Sequence, residues 1–250
     1  MQLSKMIPEV DTHTHTVLSG HAWSTRTENC QAAKAKGMKG LCLTEHGPAI
    51  EGGAPAYIPH SQRMLPETVE GIRVYKGVEI NLLDHEGNID IPPEYLKFCE
   101  FAIASIHTHM FPERAERDKN TEVYCQMLRN PYIDIIGHAD DPSVPCDFEA
   151  MVRTAQEEGK LLELNNNSTT AHRPGSLPSL KQYILCCKAH GQRVCAASDA
   201  HFYTMVGNIT PLMTLLEELE FPPELIVNLT KERFDNYLKE RNCRLERIAD

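Results

Sequence analysis

The stretch Val10-Asp-Thr-His-Thr-His15 decides how the chain is read. It closes a short apolar run, Ile7–Val10, with two histidines two residues apart. Side chains alternate on extended backbone, so both imidazoles face the same side. The pattern returns along the chain. Leu41–Leu43 leads into Thr44-Glu-His46, and Ile72–Ile80 contains Gly77-Val-Glu79. Phe98–Ile106 leads into His107-Thr-His109, Ile133–Ile136 into Gly137-His-Ala-Asp140, and Val194–Ala197 into Ser198-Asp-Ala-His201. Leu161–Leu164 alone leads into asparagines, Asn165-Asn-Asn167.

Between these runs lie helix-period segments. Phe148, Met151, Val152 and Ala155 fall at i, i+3, i+4 and i+7, as do Leu180, Tyr183, Ile184 and Cys187, and Leu212, Leu215, Leu216 and Leu219. Thr25 and Glu28 form a capping box that opens a helix closed by Gly37. Strand–helix alternation predicts an α/β fold with a parallel sheet, and seven such units predict a TIM-like (β/α)7 barrel. In such barrels the C-terminal strand ends meet on one face, where active sites assemble. Composition does not shift along the chain, so residues 1–250 are read as one domain. The Gly- and Pro-rich loop Glu51–Pro66 is read as functional. The segment from Pro222 onward is read as helical, buttressing the barrel.

The 250 residues carry a formal charge of −10, which disfavours general nucleic-acid binding. The nine cysteines are odd in number and form no C-x-x-C pair, and several sit in apolar runs. They are read as reduced core thiols of a cytoplasmic protein. No apolar leader or stretch of ~20 apolar residues is present, so no membrane segment is expected.

One histidine at a strand end is more often a satisfied polar residue than a ligand. Here seven of the twelve, His13, His15, His21, His46, His107, His138 and His201, gather at one edge with Glu79 and Asp199. Such clusters mark metal or catalytic sites. Imidazole and carboxylate donors suit Zn²⁺, and also Fe²⁺ or Mn²⁺. His60, His85, His109, His172 and His190 lack this support. Of these His109 is the nearest extra contact, and His190 is a helix-end or surface residue.

The chain resembles the PHP (polymerase and histidinol phosphatase) domain family over nearly its whole length, with its nearest likeness to small stand-alone YcdX-type phosphatases. The stretches that carry the resemblance are Val10–His15, His21–Thr25, Leu43–Pro48, Lys76–Glu79, Glu163–Asn166, Ala197–His201 and Phe221–Glu224. It implies a distorted (β/α)7 barrel with a trinuclear site of three divalent metal ions, usually zinc. One ion would take His13, His15, Glu79 and Asp199. A second would share Glu79 with His107 and His138, and a third would take His21, His46 and His201. The family usually has Asp where Glu45 stands, and an acid there is expected to orient His46.

Two ions sharing a carboxylate can acidify a water whose hydroxide attacks phosphorus, so no catalytic side chain beyond the metal-bound water is called for. The expected reaction is hydrolysis of a small phosphomonoester. Arg63, Asn165 and Arg173 are candidate substrate contacts, Glu163 is read as a core-edge residue, and Asp11 as a supporting residue. The alternatives are a histidinol-phosphatase-like enzyme, a 3′-5′ exonuclease-like enzyme, or a non-catalytic metal-binding regulatory module. The expected partner is a small phosphorylated substrate, with neither membrane nor nucleic acid.

Overall fold

Seven short apolar segments become parallel strands, as expected of strands buried on both faces. In the computed structural model, residues 2–111 and 116–249 are described. The strands are β1 Val10–Asp11, β2 Gly40–Leu43, β3 Thr68–Val69, β4 Ile72–Asn81, β5 Phe101–Ser105, β6 Ile135–Ile136, β7 Leu161–Asn165 and β8 Val194–Ala197. They pair in the order β1-β2-β4-β5-β6-β7-β8, all parallel, and β3 adds an antiparallel edge against the start of β4. The first run is shorter than expected. Ile7 is 40% exposed, and Pro8 has no N–H for a ladder.

The sheet closes on itself through side chains rather than a full ladder. Between β1 and β8 the backbone contact lies just past the strands, where Thr14 bridges Ala200. Below it the Asn228 amide donates to Val10 O and Ala196 O at 2.8 and 2.7 Å, and its oxygen accepts from Ala196 N at 2.9 Å. The buried Asp11 carboxylate accepts from Ser198 N, Ser198 Oγ and Gly207 N. These contacts hold the seam where β1 and β8 lack a ladder, and make Asp11 the supporting residue expected of it.

The helices are α1 Arg26–Ala35, α2 Ile58–Ser61, α3 Pro93–Leu96, α4 Arg117–Arg129, α5 Phe148–Glu157, α6 Leu177–His190, α7 Thr210–Glu218 and α8 Lys231–Ala249. Both hydrogen bonds of the Thr25–Glu28 capping box form, and Gly37 follows α1 with φ +74°. The expected apolar stripe of α6 is buried in the core, as are Met151, Val152 and Ala155 of α5 and Leu212, Leu215 and Leu216 of α7, while Phe148 and Leu219 are partly buried against it. Helix α8 plugs the end where the strands begin: Phe234 and Tyr237 pack with Val10, Cys42, Tyr75 and Phe101. Gly77 makes room there, because a Cβ would fall 2.5 Å from the Phe101 ring. Asp134, just before β6, accepts from Ala102 N, Arg241 Nε and Arg244 Nη2, tying α8 to the barrel wall. All nine cysteines are unpaired, seven of them buried. Among the described residues no helix is long and apolar enough to cross a membrane.

Candidate metal centre

With α8 filling one end, the polar strand ends converge at the other. Thr14 faces outward, its Oγ1 donating to Cys42 O at 2.6 Å, so His13 and His15 face the barrel axis. His46 and Glu79 are neighbours across β2 and β4. His107, His138, Asp199 and His201 follow β5, β6 and β8. His138 and Asp199 hold positive φ, +29° and +53°, a conformation non-glycine residues adopt at some cost.

Glu79 lies at the middle, fully buried. Its Oε1 is 3.1 Å from His138 Nε2 and 3.5 Å from His107 Nε2. Its Oε2 is 3.2 Å from His13 Nε2, 3.5 Å from His15 Nε2 and 2.8 Å from His46 Nδ1. Asp199 Oδ1 lies 3.2 Å from His15 Nε2 and 3.6 Å from His13 Nε2. His21 Nε2 and His201 Nε2 face each other across 2.9 Å. All nine residues expected as ligands are therefore brought together. They do not divide into three closed sets, because His46 stands between groups, near His15 and His201 and also near Glu79 and His107.

The buried faces of this cluster hold His13 Nε2, His15 Nε2, His46 Nδ1 and Glu79 Oε2 without any aligned hydrogen bond. Leaving that many polar atoms orphaned costs ~1–3 kcal/mol each, and divalent cations are what this donor set would satisfy. Protonation agrees with that fit. Burial raises Glu79, but His13, His46 and His107 outweigh it and hold the carboxyl well below its usual range. Burial likewise opposes ionisation of Asp199, and His13, His15, His201 and Arg173 overcome it. Burial, with His46 and His201 close by, pushes His15 well down and His21 to about 4. Burial lowers His107 as well. His13 is the exception: burial disfavours its charge, yet Glu163, Glu79 and Asp199 raise it well above the usual value.

Neighbouring groups set which nitrogen each ring presents. Glu163 Oε1 lies 2.6 Å from His13 Nδ1, and Glu163 Oε2 accepts from His138 N at 2.9 Å. Glu163 is thus an orienting carboxylate rather than a core-edge residue. Asn165 shares its strand face, two residues on. The Ser19 hydroxyl donates to Glu45 Oε2 at 2.7 Å and accepts from His46 N at 3.0 Å. Its remaining lone pair faces His15 Nδ1 at 3.1 Å, which leaves His15 Nε2 for the cluster. Glu45 therefore acts on His15 through Ser19, and not on the His46 ring as expected, because alternation turns Glu45 and His46 to opposite faces. Ser19 escaped the sequence reading altogether, since nothing local marks it.

The three candidate substrate contacts separate. Arg63 does not join the cluster: it is exposed, its guanidinium lying 5.1 Å over the ring of Phe98, ahead of β5. Asn165 is fully buried and donates to Glu163 Oε2 and Asp199 Oδ2, so it positions carboxylates instead of facing substrate. Arg173 reaches the site, with Nη2 3.0 Å from Asp199 Oδ2. It also lines a cleft of about 410 Å³ beside His107 and His138. The loop Glu51–Pro66 folds partly into α2 and packs on the loop that carries His21. Gly20, at φ +77°, permits this, because a Cβ there would meet Gly52 C at 2.6 Å.

Residues 11–167 match the PHP domain family. A probable phosphatase of Acetivibrio thermocellus is 41% identical over 238 residues, 95% of this chain and 98% of its own. Another, from Caldanaerobacter subterraneus subsp. tengcongensis, is 39% identical over 94% of this chain and 93% of its own. Among solved structures, the histidinol phosphate phosphatase of Lactococcus lactis, complexed with zinc, L-histidinol and phosphate, covers 85% of this chain and 94% of its own. Its TM-score is 0.55 at 18% identity, a likeness of fold.

Proposed function

The chain belongs to the PHP domain family, and from that membership we propose that it is a phosphatase that hydrolyses a small phosphomonoester with three bound divalent ions, zinc first among them. The observation that carries the reading is Glu79, whose two oxygens face two different sets of imidazoles, the arrangement a bridging carboxylate requires. His13, His15 and Asp199 are assigned to one side of it and His107 and His138 to the other; a third ion is assigned to His21, His46 and His201, of which His21 and His201 stand at the open rim and His46 is buried beside Glu79. Divalent ions bound there would acidify water toward neutrality and offset charge on phosphoryl oxygens.

The chain's own residues do the rest. Glu163, Ser19 and Asn165 hold ligand rings and carboxylates in orientation, and Arg173 is assigned to the substrate. The family match ends at residue 167, yet β8 supplies Asp199 and His201 and α8 plugs the barrel. The functional unit is therefore taken as residues 1–250. The adjoining cleft, about 410 Å³, suits a small ester better than a polynucleotide. The curated relatives, named probable phosphatases, support the same class.

The test is phosphate release from p-nitrophenyl phosphate by protein stripped with a chelator and then reloaded with zinc, manganese or iron. Activity that falls on stripping and returns on loading is expected. Metal binding without turnover on any phosphomonoester would favour a non-catalytic module.

A further inference from the structure

The cleft beside His107 and His138 has a second wall that the metal cluster does not use. His109 comes from the segment after β5, and His172 and Arg173 from the segment before α6. We propose that this wall binds a second anionic group of the substrate, a carboxylate or a second phosphate, so that the preferred substrates are phosphomonoesters of small acids. The proposal rests on the phosphatase reading for its turnover but not for its binding.

Arg173 brings a permanent positive charge to the cleft. One of its nitrogens is spent on Asp199, but Nη1 is buried with no hydrogen-bond partner. A guanidinium N–H without an acceptor is costly to leave so, and an anion in the cleft would satisfy it. His109 and His172 are exposed, and among the described residues neither ring has a hydrogen-bond partner. Neither packs into the core, so no structural role explains them. One acid, Asp141, also lines the cleft. Its Oδ1 accepts from Ser143 N and Ser143 Oγ at 2.8 and 2.7 Å, which turns that oxygen into its own loop. Donors on this wall thus outnumber the single carboxylate. A site built around a charged group rejects an analogue lacking it more strongly than an apolar pocket rejects a size change.

Four three-carbon compounds separate the possibilities: 3-phosphoglycerate, glycerol 1,3-bisphosphate, glycerol 3-phosphate, and the analogue with an ammonium in place of the terminal hydroxyl. Each is measured twice on the zinc-loaded protein, as kcat/KM and as the Kd of its non-hydrolysable phosphonate. The acid, the bisphosphate or both should exceed the alcohol by about tenfold or more in both readouts. Which of the two leads tells carboxylate from phosphate. In the double variant His109→Gln, His172→Gln the ratio of acid to alcohol should fall toward one. An alcohol bound and turned over as well as the acids, a preference for the ammonium analogue, or a ratio unmoved by the double variant would each overturn the proposal. Tighter binding of the acidic phosphonates without hydrolysis of any ester would uphold this subsite and sink the phosphatase reading instead.

Discussion

Glu163 Oε1 lies 2.6 Å from His13 Nδ1, with both side chains fully buried. The carboxylate accepts a hydrogen bond from Nδ1–H and so turns Nε2 toward Glu79 and Asp199. Its second oxygen accepts from His138 N and Asn165 Nδ2, so one carboxylate steadies three strand ends. Glu163→Gln must turn an amide N–H₂ toward one of these donors. Zinc affinity, measured by competition with a chromogenic chelator, should drop roughly 10–100-fold while the circular dichroism spectrum is retained. Wild-type affinity in the variant would remove Glu163 from the orienting role.

His13 also sets a pH signature. Burial works against its charge, but Glu163, Glu79 and Asp199 lift its pKa well above the usual value in the metal-free protein. A raised folded pKa adds stability to that form that is fully present below the unfolded value of ~6.5 and is lost as pH climbs through the folded value. A metal must displace this proton. Zinc binding just above the ordinary imidazole value of ~6.5 should therefore release more protons than an unshifted imidazole would. Calorimetry in buffers of different ionisation enthalpy reads it, and a heat independent of buffer contradicts it.

Much of this was legible before any coordinates. Strands buried on both faces read as continuous apolar runs, so β2 and β4 to β8 lie within a few residues of their expected places, while the short, exposed antiparallel β3 was not foreseen. Helix α4 was not foreseen, although Asn120, Val123, Tyr124, Met127 and Leu128 repeat at i, i+3, i+4, i+7 and i+8. The buried Asn120 breaks the apolar signal. The histidines and acids at strand ends could be expected to converge, because barrel topology brings strand ends together whatever the loops do. Glu163 was missed by being weighed alone, although its alternation with Asn165 places both on the inward face of β7. Ser19 and the stacking of Arg63 on Phe98 depend on how loops fold back, which no local pattern encodes.

The seam between β1 and β8 should be a weak point of the barrel. Asn228→Ala strips partners from Val10 O, Ala196 O and Ala196 N, all within the buried wall. The expected loss is roughly 3 kcal/mol or more, seen as a lower urea midpoint with an unchanged slope. A variant as stable as wild type would mean that the seam is closed by other contacts.

Glu79→Gln should be the most damaging single change to activity, since only a carboxylate carries charge toward both sets of imidazoles. The fold should survive, because the core beneath is apolar and untouched. Retention of more than roughly a tenth of wild-type kcat/KM, a loss under ~1.4 kcal/mol, would rule out the bridging assignment.

The central claim, that these nine side chains hold a catalytic metal cluster, is tested most directly by elemental analysis of protein purified without chelator, paired with its phosphatase activity. About three divalent ions per chain, lost together with activity on chelation and restored together by zinc, is the predicted result. Fewer than about one ion per chain, or phosphatase activity that persists after the metal is gone, would contradict it.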